Sequence, residues 1–104
     1  MTDTLAALIV LRFKGPSQSS DTLRADVIES CVGMSMEYEF NLVNICETLT
    51  GTLVAFVEVS QSPSGSQLTR KHLHSLRDEL ATDLGCSDSS AYLVTFADLV
   101  KGYA

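Results

Sequence analysis

Cysteine is scarce in this sequence. Its three cysteines, Cys31, Cys46 and Cys86, are widely spaced, and no Cys-x-x-Cys pair occurs. An odd number of widely spaced cysteines argues against a disulfide framework and against a zinc site. The sequence therefore predicts free thiols that are buried in the fold and kept reduced in the cytoplasm.

Positive charge is also scarce. The chain has 7 Lys and Arg residues against 13 Asp and Glu residues, a net charge of −6. The basic cluster Arg70–His72, followed by His74, is too short to reverse this balance. Nucleic acids and anionic membranes bind proteins through positive charge, so we expect neither as a partner.

Long hydrophobic runs are missing as well. The apolar run from Leu5 to Leu11 ends at Arg12 and is too short for a membrane span or a signal segment. A length of 104 residues fits one domain, residues 1–104, and 45% hydrophobic with 19% charged residues is typical of globular proteins. We expect a single soluble domain.

No catalytic or cofactor motif occurs. The sequence lacks Gly-x-Gly-x-x-Gly, a Walker loop, a nucleophile elbow and His-Glu-x-x-His. His72 and His74 lie two residues apart on a predicted helix and point away from each other, while His74 and Asp78 share a face but lack a third ligand. We predict no metal and no cofactor. This favours a non-enzymatic protein and leaves the enzyme question open.

The hydrophobic pattern predicts four strands. Leu5–Phe13 and Thr52–Val59 are apolar on both faces, as in strands that are covered on both sides. Glu37–Leu42 alternates polar with apolar residues and continues with less contrast to Cys46, and Ala91–Ala97 forms the fourth strand. The short stretch Glu47–Gly51 predicts a hairpin connection.

Two helices separate these strands. The first begins near Ser19–Asp21, and Gly33 is its predicted stop. The second begins at a capping box of Ser64 and Gln67 and stops at Gly85. The predicted fold is an α+β two-layer sandwich in the order β-α-β-β-α-β. Apolar residues recur at helical spacing, at Leu23, Val27, Ile28 and Cys31 and then at Leu73, Leu76, Leu80 and Leu84.

A sheet with both helices on one face leaves its other face uncovered, although two strands are apolar on both faces. In the first strand Leu8 and Val10 share a face with Arg12, whose long side chain can reach an interface rim. We therefore expect Ile9, Leu11 and Phe13 under the helices. The opposite face is predicted to be an interface with another subunit or with a different protein. Its candidate residues are Leu8, Val10, Val54 and Phe56.

The second half of the chain shows a further pattern. A strand ends in a small-residue loop at Ser60–Gly65, a long helix follows, and a turn at Gly85–Ser90 leads to a strand ending near Asp98. The first half matches in outline, with Gly33 after a helix and Tyr38 opening a strand. This order resembles the macrophage migration inhibitory factor branch of the tautomerase superfamily. The resemblance implies a trimer with the sheets inside and the helices outside.

The resemblance also implies a chemistry. The family uses an N-terminal proline amine as its base, whereas this chain begins Met1-Thr2-Asp3-Thr4 and has no proline before Pro16. The candidate catalytic residues are Thr2, whose amine would be free after removal of Met1, and Tyr92, which stands where the family has a pocket aromatic. A role for Tyr92 as a buried strand residue is favoured.

A ferredoxin-like sandwich has the same element order and is the alternative fold. The position of the first strand distinguishes the two, since it lies parallel to the second strand in the tautomerase arrangement and beside the third in the ferredoxin-like one. Three functional hypotheses follow. They are a non-catalytic assembly protein that self-associates through its sheet, a divergent tautomerase, and a ferredoxin-like subunit of a larger complex.

Overall fold

The computed structural model describes residues 4–14, 19–34, 38–61 and 68–95. Its elements follow the predicted β-α-β-β-α-β order. The fourth strand begins three residues earlier than the sequence pattern indicated, at Asp88. The elements are β1 (Thr4–Phe13), α1 (Ser20–Met34), β2 (Tyr38–Glu47), β3 (Leu53–Gln61), α2 (Arg70–Leu84) and β4 (Asp88–Thr95).

The four strands form one sheet in the order β2-β3-β1-β4, and every neighbouring pair is antiparallel. β1 therefore lies between β3 and β4. Residues of both helices pack into the same core cluster as one face of the sheet. The molecule is a two-layer α/β sandwich, which confirms the coarse fold prediction.

The core lies between the helices and the face of the sheet that carries Ile9, Leu11 and Phe13. This confirms the prediction that these three residues lie under the helices. The other face, called the distal face, carries the alternate β1 residues Leu8, Val10 and Arg12. The helices contribute buried residues at the predicted apolar positions, namely Leu23, Val27 and Cys31 of α1 and Leu73 and Leu80 of α2.

The connection between β2 and β3 is a tight hairpin, as predicted. The Gly51 N–H donates to the Thr48 carbonyl at 3.0 Å, and the Thr48 N–H donates to the Thr52 carbonyl at 2.8 Å. Gly51 has a φ of 85°, a left-handed conformation that glycine adopts without a side-chain clash. The glycine therefore allows the chain to reverse direction within a short connection.

Strand β2 contains an irregularity in the middle of its pairing with β3. Leu42 pairs with Val57 and Asn44 pairs with Phe56, so Val43 has no directly opposed residue on β3. This is a β-bulge, in which one extra residue interrupts the two-residue period of the strand. It explains why the alternation of polar and apolar residues weakens after Leu42.

The helix boundaries differ from two predictions. α1 is capped by Ser19, whose hydroxyl accepts from the Thr22 N–H at 3.2 Å, but it runs through Gly33 to Met34. Gly33 as a helix stop was therefore wrong. α2 begins at Arg70, after the N-cap residue Thr69, and the predicted capping box at 64–67 lies outside the described residues.

Gly85 ends α2 as predicted, with φ 66° and its N–H directed to the carbonyls of Ala81 and Thr82. We expect Gly85→Ala to lower the free energy of unfolding by about 1–2 kcal/mol, because an L-residue is strained in that conformation. Gly33 is its matched control, since it lies within a helix and nothing approaches its Cβ position. Gly33→Ala should raise the free energy of unfolding by about 0.5–1 kcal/mol. Urea denaturation measures both changes. If both variants changed the free energy of unfolding in the same direction by the same amount, these assignments would be contradicted.

Candidate functional site

Strand register places the candidate interface residues on one surface. Directly opposed residues of an antiparallel sheet project to the same face, so the pairing defines rows of residues across the distal face. From β2 to β4 they are the Arg12 row (Cys46, Val54, Arg12 and Asp88), the Val10 row (Asn44, Phe56, Val10 and Ser90) and the Leu8 row (Asn41, Glu58, Leu8 and Tyr92).

The centre of the distal face is apolar. Val10 and Phe56 oppose each other, Val54 lies in the row on one side, and Leu8 lies in the row on the other side. Val10 is 5% exposed and Val54 is 9% exposed, while Leu8 and Phe56 are half-buried. All four predicted residues thus contribute to one patch on the two central strands, and their role as an interface stays a prediction.

Strand β4 extends this patch in a way that the sequence analysis missed. Tyr92 opposes Leu8, and Val94 opposes Ala6. The aromatic side chain of Tyr92 and the aliphatic side chain of Val94 therefore both lie on the distal face. Tyr92 is 52% exposed, so its interpretation as a buried strand residue was wrong. The alternation of Ser90, Tyr92 and Val94 carried this information once the direction of β4 was known. The other catalytic candidate, Thr2, lies outside the described residues.

Arg12 connects the apolar patch to its polar border on β4. Its Nη1 donates to the Asp88 carboxylate at 3.2 Å and to the Ser90 hydroxyl at 3.1 Å. The Arg12 side chain is 35% exposed and that of Asp88 is 64% exposed, so this is a surface ion pair. Such a pair adds little stability alone. It does hold the guanidinium group over the junction of β1 and β4, within reach of a molecule bound to the distal face.

Glu58 is a charged residue in the interior of the sheet. It lies on the central strand β3, opposite Leu8 on one side and Asn41 on the other. Its side chain is exposed, and within the described ranges no ion pair includes it. A carboxylate at this position tolerates water or a cation but not an apolar surface.

The helix side of the molecule carries grooves of different character. One of about 880 Å³ lies between α1 and α2, and half of its lining residues are acidic. On its wall the Ser30 hydroxyl donates to the Asp83 carboxylate at 2.5 Å, which joins the two helices. Another, of about 130 Å³, is apolar and lies between α1 and the edge strand β2, at Ile28, Val32 and Phe40.

The two histidines have different surroundings. The Nδ1 of His72 and the hydroxyl of Tyr38 are 3.1 Å apart, a hydrogen bond that joins the start of α2 to the start of β2. His74 is exposed on α2. No group of three His, Cys, Asp or Glu side chains within the described ranges is arranged to hold a metal ion.

The three cysteines differ in environment. Burial raises the pKa of the Cys31 thiol to about 11, and burial also raises the pKa of Cys86, whose thiol donates to the Asp88 carbonyl. Cys46 is exposed on the distal face and accepts a hydrogen bond from the Asn44 side chain, contrary to its predicted burial. The prediction of free thiols is confirmed for all three residues.

We expect Cys46 to react with a thiol reagent much faster than Cys31 at pH 8. The thiolate is the reactive form, and a pKa of about 11 leaves roughly one Cys31 thiol in a thousand deprotonated at that pH. The time course of reaction with a disulfide reagent measures this difference. Cys46→Ser should remove the rapid phase, and a rapid phase that persists in this variant would contradict the assignment.

Comparisons with protein-family models, with curated proteins and with solved structures found no match. Among the helices that the structure describes, none is long and apolar enough to cross a membrane.

Proposed function

We propose that this protein is an assembly subunit with a ferredoxin-like arrangement that associates with copies of itself through the distal face. One observation carries the proposal. The strand register places Leu8, Val10, Val54 and Phe56 together in one apolar patch, continued by Tyr92. Leu8 and Phe56 are half-buried and Tyr92 is exposed, and an exposed apolar patch bordered by polar residues is typical of a protein interaction site.

The strand order supports the ferredoxin-like part of the proposal. β1 pairs with β3 on one side and with β4 on the other, and both pairings are antiparallel. The ferredoxin-like alternative expects β1 beside the third strand, whereas the tautomerase arrangement expects it parallel to the second. The short hairpin at residues 48–52 also fits the connection that the ferredoxin-like alternative has between its second and third strands.

The size of the distal face is adequate for association. Four strands about 4.8 Å apart, with eight residues in the shortest at about 3.4 Å each, span roughly 19 by 27 Å. Two such faces in contact bury a total of on the order of 1,000 Å², without the additional area of protruding side chains. A specific interface is expected to bury at least about 1,000 Å² in total. A second copy of this chain therefore fits the available surface.

The charges support a second copy as the occupant. A two-fold interface places one surface on itself, so that surface must carry both partners of every charged contact. The strands carry one cation on the distal face, Arg12, and three carboxylates, Glu58, Asp88 and Glu39, of which Glu58 lies two rows from Arg12 in register. A surface with both signs of charge around an apolar centre is complementary to itself.

Sedimentation velocity at increasing protein concentration tests this function. The expected result is a sedimentation coefficient above that of an 11.2 kDa monomer at micromolar concentration, decreasing on dilution. The same experiment distinguishes a dimer from the trimer that the tautomerase resemblance implies. A monomer at every concentration would contradict self-association and would favour a different protein as the occupant of the distal face.

A further inference from the structure

The two charged residues that the central strands carry on the distal face limit how a second copy can bind. Glu58 lies in the Leu8 row on β3, and Arg12 lies in the Arg12 row on the adjacent strand β1. Both belong to the central strands, so a second copy that covers the apolar patch also covers them. A carboxylate covered without a counter-ion is unfavourable. The binding arrangement must therefore supply a cation to Glu58.

When the strands of the two copies are aligned, two two-fold axes centre the contact of the distal faces on Val10 and Phe56. In the first arrangement the axis is parallel to the strands and passes between β1 and β3. Glu58 then meets the partner's Leu8, and Arg12 meets the partner's Val54. Both charges would contact apolar side chains, and neither would gain a counter-ion.

In the second arrangement the axis is perpendicular to the strands and runs along the Val10 row. The Arg12 row of one copy then lies on the Leu8 row of the other, with β1 over β1 and β3 over β3. Arg12 comes to lie beside the partner's Glu58, displaced sideways by one strand spacing of about 4.8 Å. Facing sheets are about 10 Å apart, a distance that an arginine and a glutamate side chain span together.

We infer that two copies pair through the distal face about this second axis, and that two equivalent ion pairs between Arg12 and the partner's Glu58 fix the arrangement. This inference rests on the proposed function and specifies its geometry. The Val10 row then lies on its own copy, which places Phe56 and Val10 at the centre of the contact. Arg12 turns from the exposed Asp88 on the β4 side to the partner's Glu58 on the β3 side, which exchanges a surface ion pair for one enclosed between the two copies.

The same axis makes a further contact between polar side chains. Asp88 of the Arg12 row lies over the partner's Tyr92, which opposes Leu8 in the Leu8 row. The Asp88 side chain is 64% exposed, and Tyr92 is also exposed, so both are accessible before association. The tyrosine hydroxyl can donate to that carboxylate. The exposed end of Tyr92 thus gains a hydrogen-bond partner in the pair.

Charge reversal with mixing tests the geometry. In a pair of Arg12→Glu chains two carboxylates face each other at each contact, and in a pair of Glu58→Arg chains two guanidinium groups do. Each variant alone should have a dissociation constant raised roughly 100-fold, because like charges face each other. An equal mixture should restore association, because in the mixed pair both contacts again join opposite charges. Native mass spectrometry identifies the mixed pair by mass.

Matched variants on α2 control for the change in net charge. Lys71→Glu and Glu79→Arg make the same changes in charge on exposed residues of the helix layer. They should associate like the wild-type protein, alone and mixed. If Arg12→Glu does not fold by circular dichroism, Arg12→Gln and Glu58→Gln replace the reversals. Each glutamine variant should weaken association. The double variant should associate at least as tightly as the single variant with the higher dissociation constant.

The outcomes separate this inference from the proposed function. If the wild-type protein associates but the mixed variants do not, the two-fold geometry is wrong. Association of the wild-type protein as trimers also overturns that geometry. Both results leave association through the distal face intact. Rescue in the mixture supports the Arg12 pairing with the partner's Glu58. A wild-type protein that stays monomeric at every concentration overturns both.

Discussion

Replacing Leu11 with aspartate should abolish the folded state. Leu11 is 0% exposed and lies in the core cluster beneath the helices, on the central strand β1. A carboxylate there loses its hydration and gains no counter-ion, which costs several kcal/mol in addition to the lost apolar contacts. The total free energy of unfolding of a domain is about 5–15 kcal/mol. Leu11→Asp should therefore lack a cooperative urea transition.

Leu11→Ala is the matched control for this prediction. It removes the same apolar side chain without adding charge and should lower the free energy of unfolding by about 2–5 kcal/mol. Near-ultraviolet circular dichroism and the urea transition report the packed state of both variants. A Leu11→Asp protein that unfolds cooperatively at the wild-type midpoint would show that Leu11 does not lie in the core.

Replacing Val10 with aspartate should leave the domain folded and prevent self-association. Val10 adjoins Leu11 in sequence but lies on the distal face, opposite Phe56 and Ser90. Val10 is nearly buried in the monomer, but an aspartate at this position lies beside the Arg12 guanidinium, which is bonded to Ser90 and offers a counter-ion. In a pair of distal faces the carboxylate would be enclosed against the partner's apolar centre, where an unpaired charge costs several kcal/mol.

Sedimentation velocity and circular dichroism together measure this effect. Ile28→Asp is the control, because Ile28 is an exposed apolar residue on α1, in the helix layer and away from the distal face. It adds the same charge and should associate like the wild-type protein. If Ile28→Asp were monomeric and Val10→Asp still associated, the interface would lie on the helix layer and not on the distal face.

The sequence predicted the elements well because their signals are local. The two-sided apolar character of β1 identified a central strand, and the alternation along it assigned Leu11 and Val10 to opposite faces correctly. Gly51 and Gly85 marked a turn and a helix end because both positions require a left-handed backbone. The prediction that Gly33 ends the first helix was wrong. Glycine in a helix costs only about 1 kcal/mol relative to alanine, and tertiary packing can outweigh that cost.

The composition of the distal face was less predictable because it depends on pairing between distant segments. Glu58 and Leu8 are adjacent only because β3 lies beside β1, and Tyr92 joins them only through β4. Two folds with the same element order place these residues differently, and no local pattern distinguishes them. The four apolar interface candidates were identified from periodicity, whereas the charged residues around them required the register.

The bulge at Val43 has a consequence for how far association can proceed. β2 is an edge strand of the sheet, and a regular edge is a template on which further strands add without limit, as in fibrils. Val43 interrupts the spacing of backbone donors and acceptors along that edge and twists it locally. A strand from another molecule cannot stay in register along the full length of β2. Addition of further strands at the β2 edge is therefore discouraged, which favours contacts through a face of the sheet over contacts through this edge.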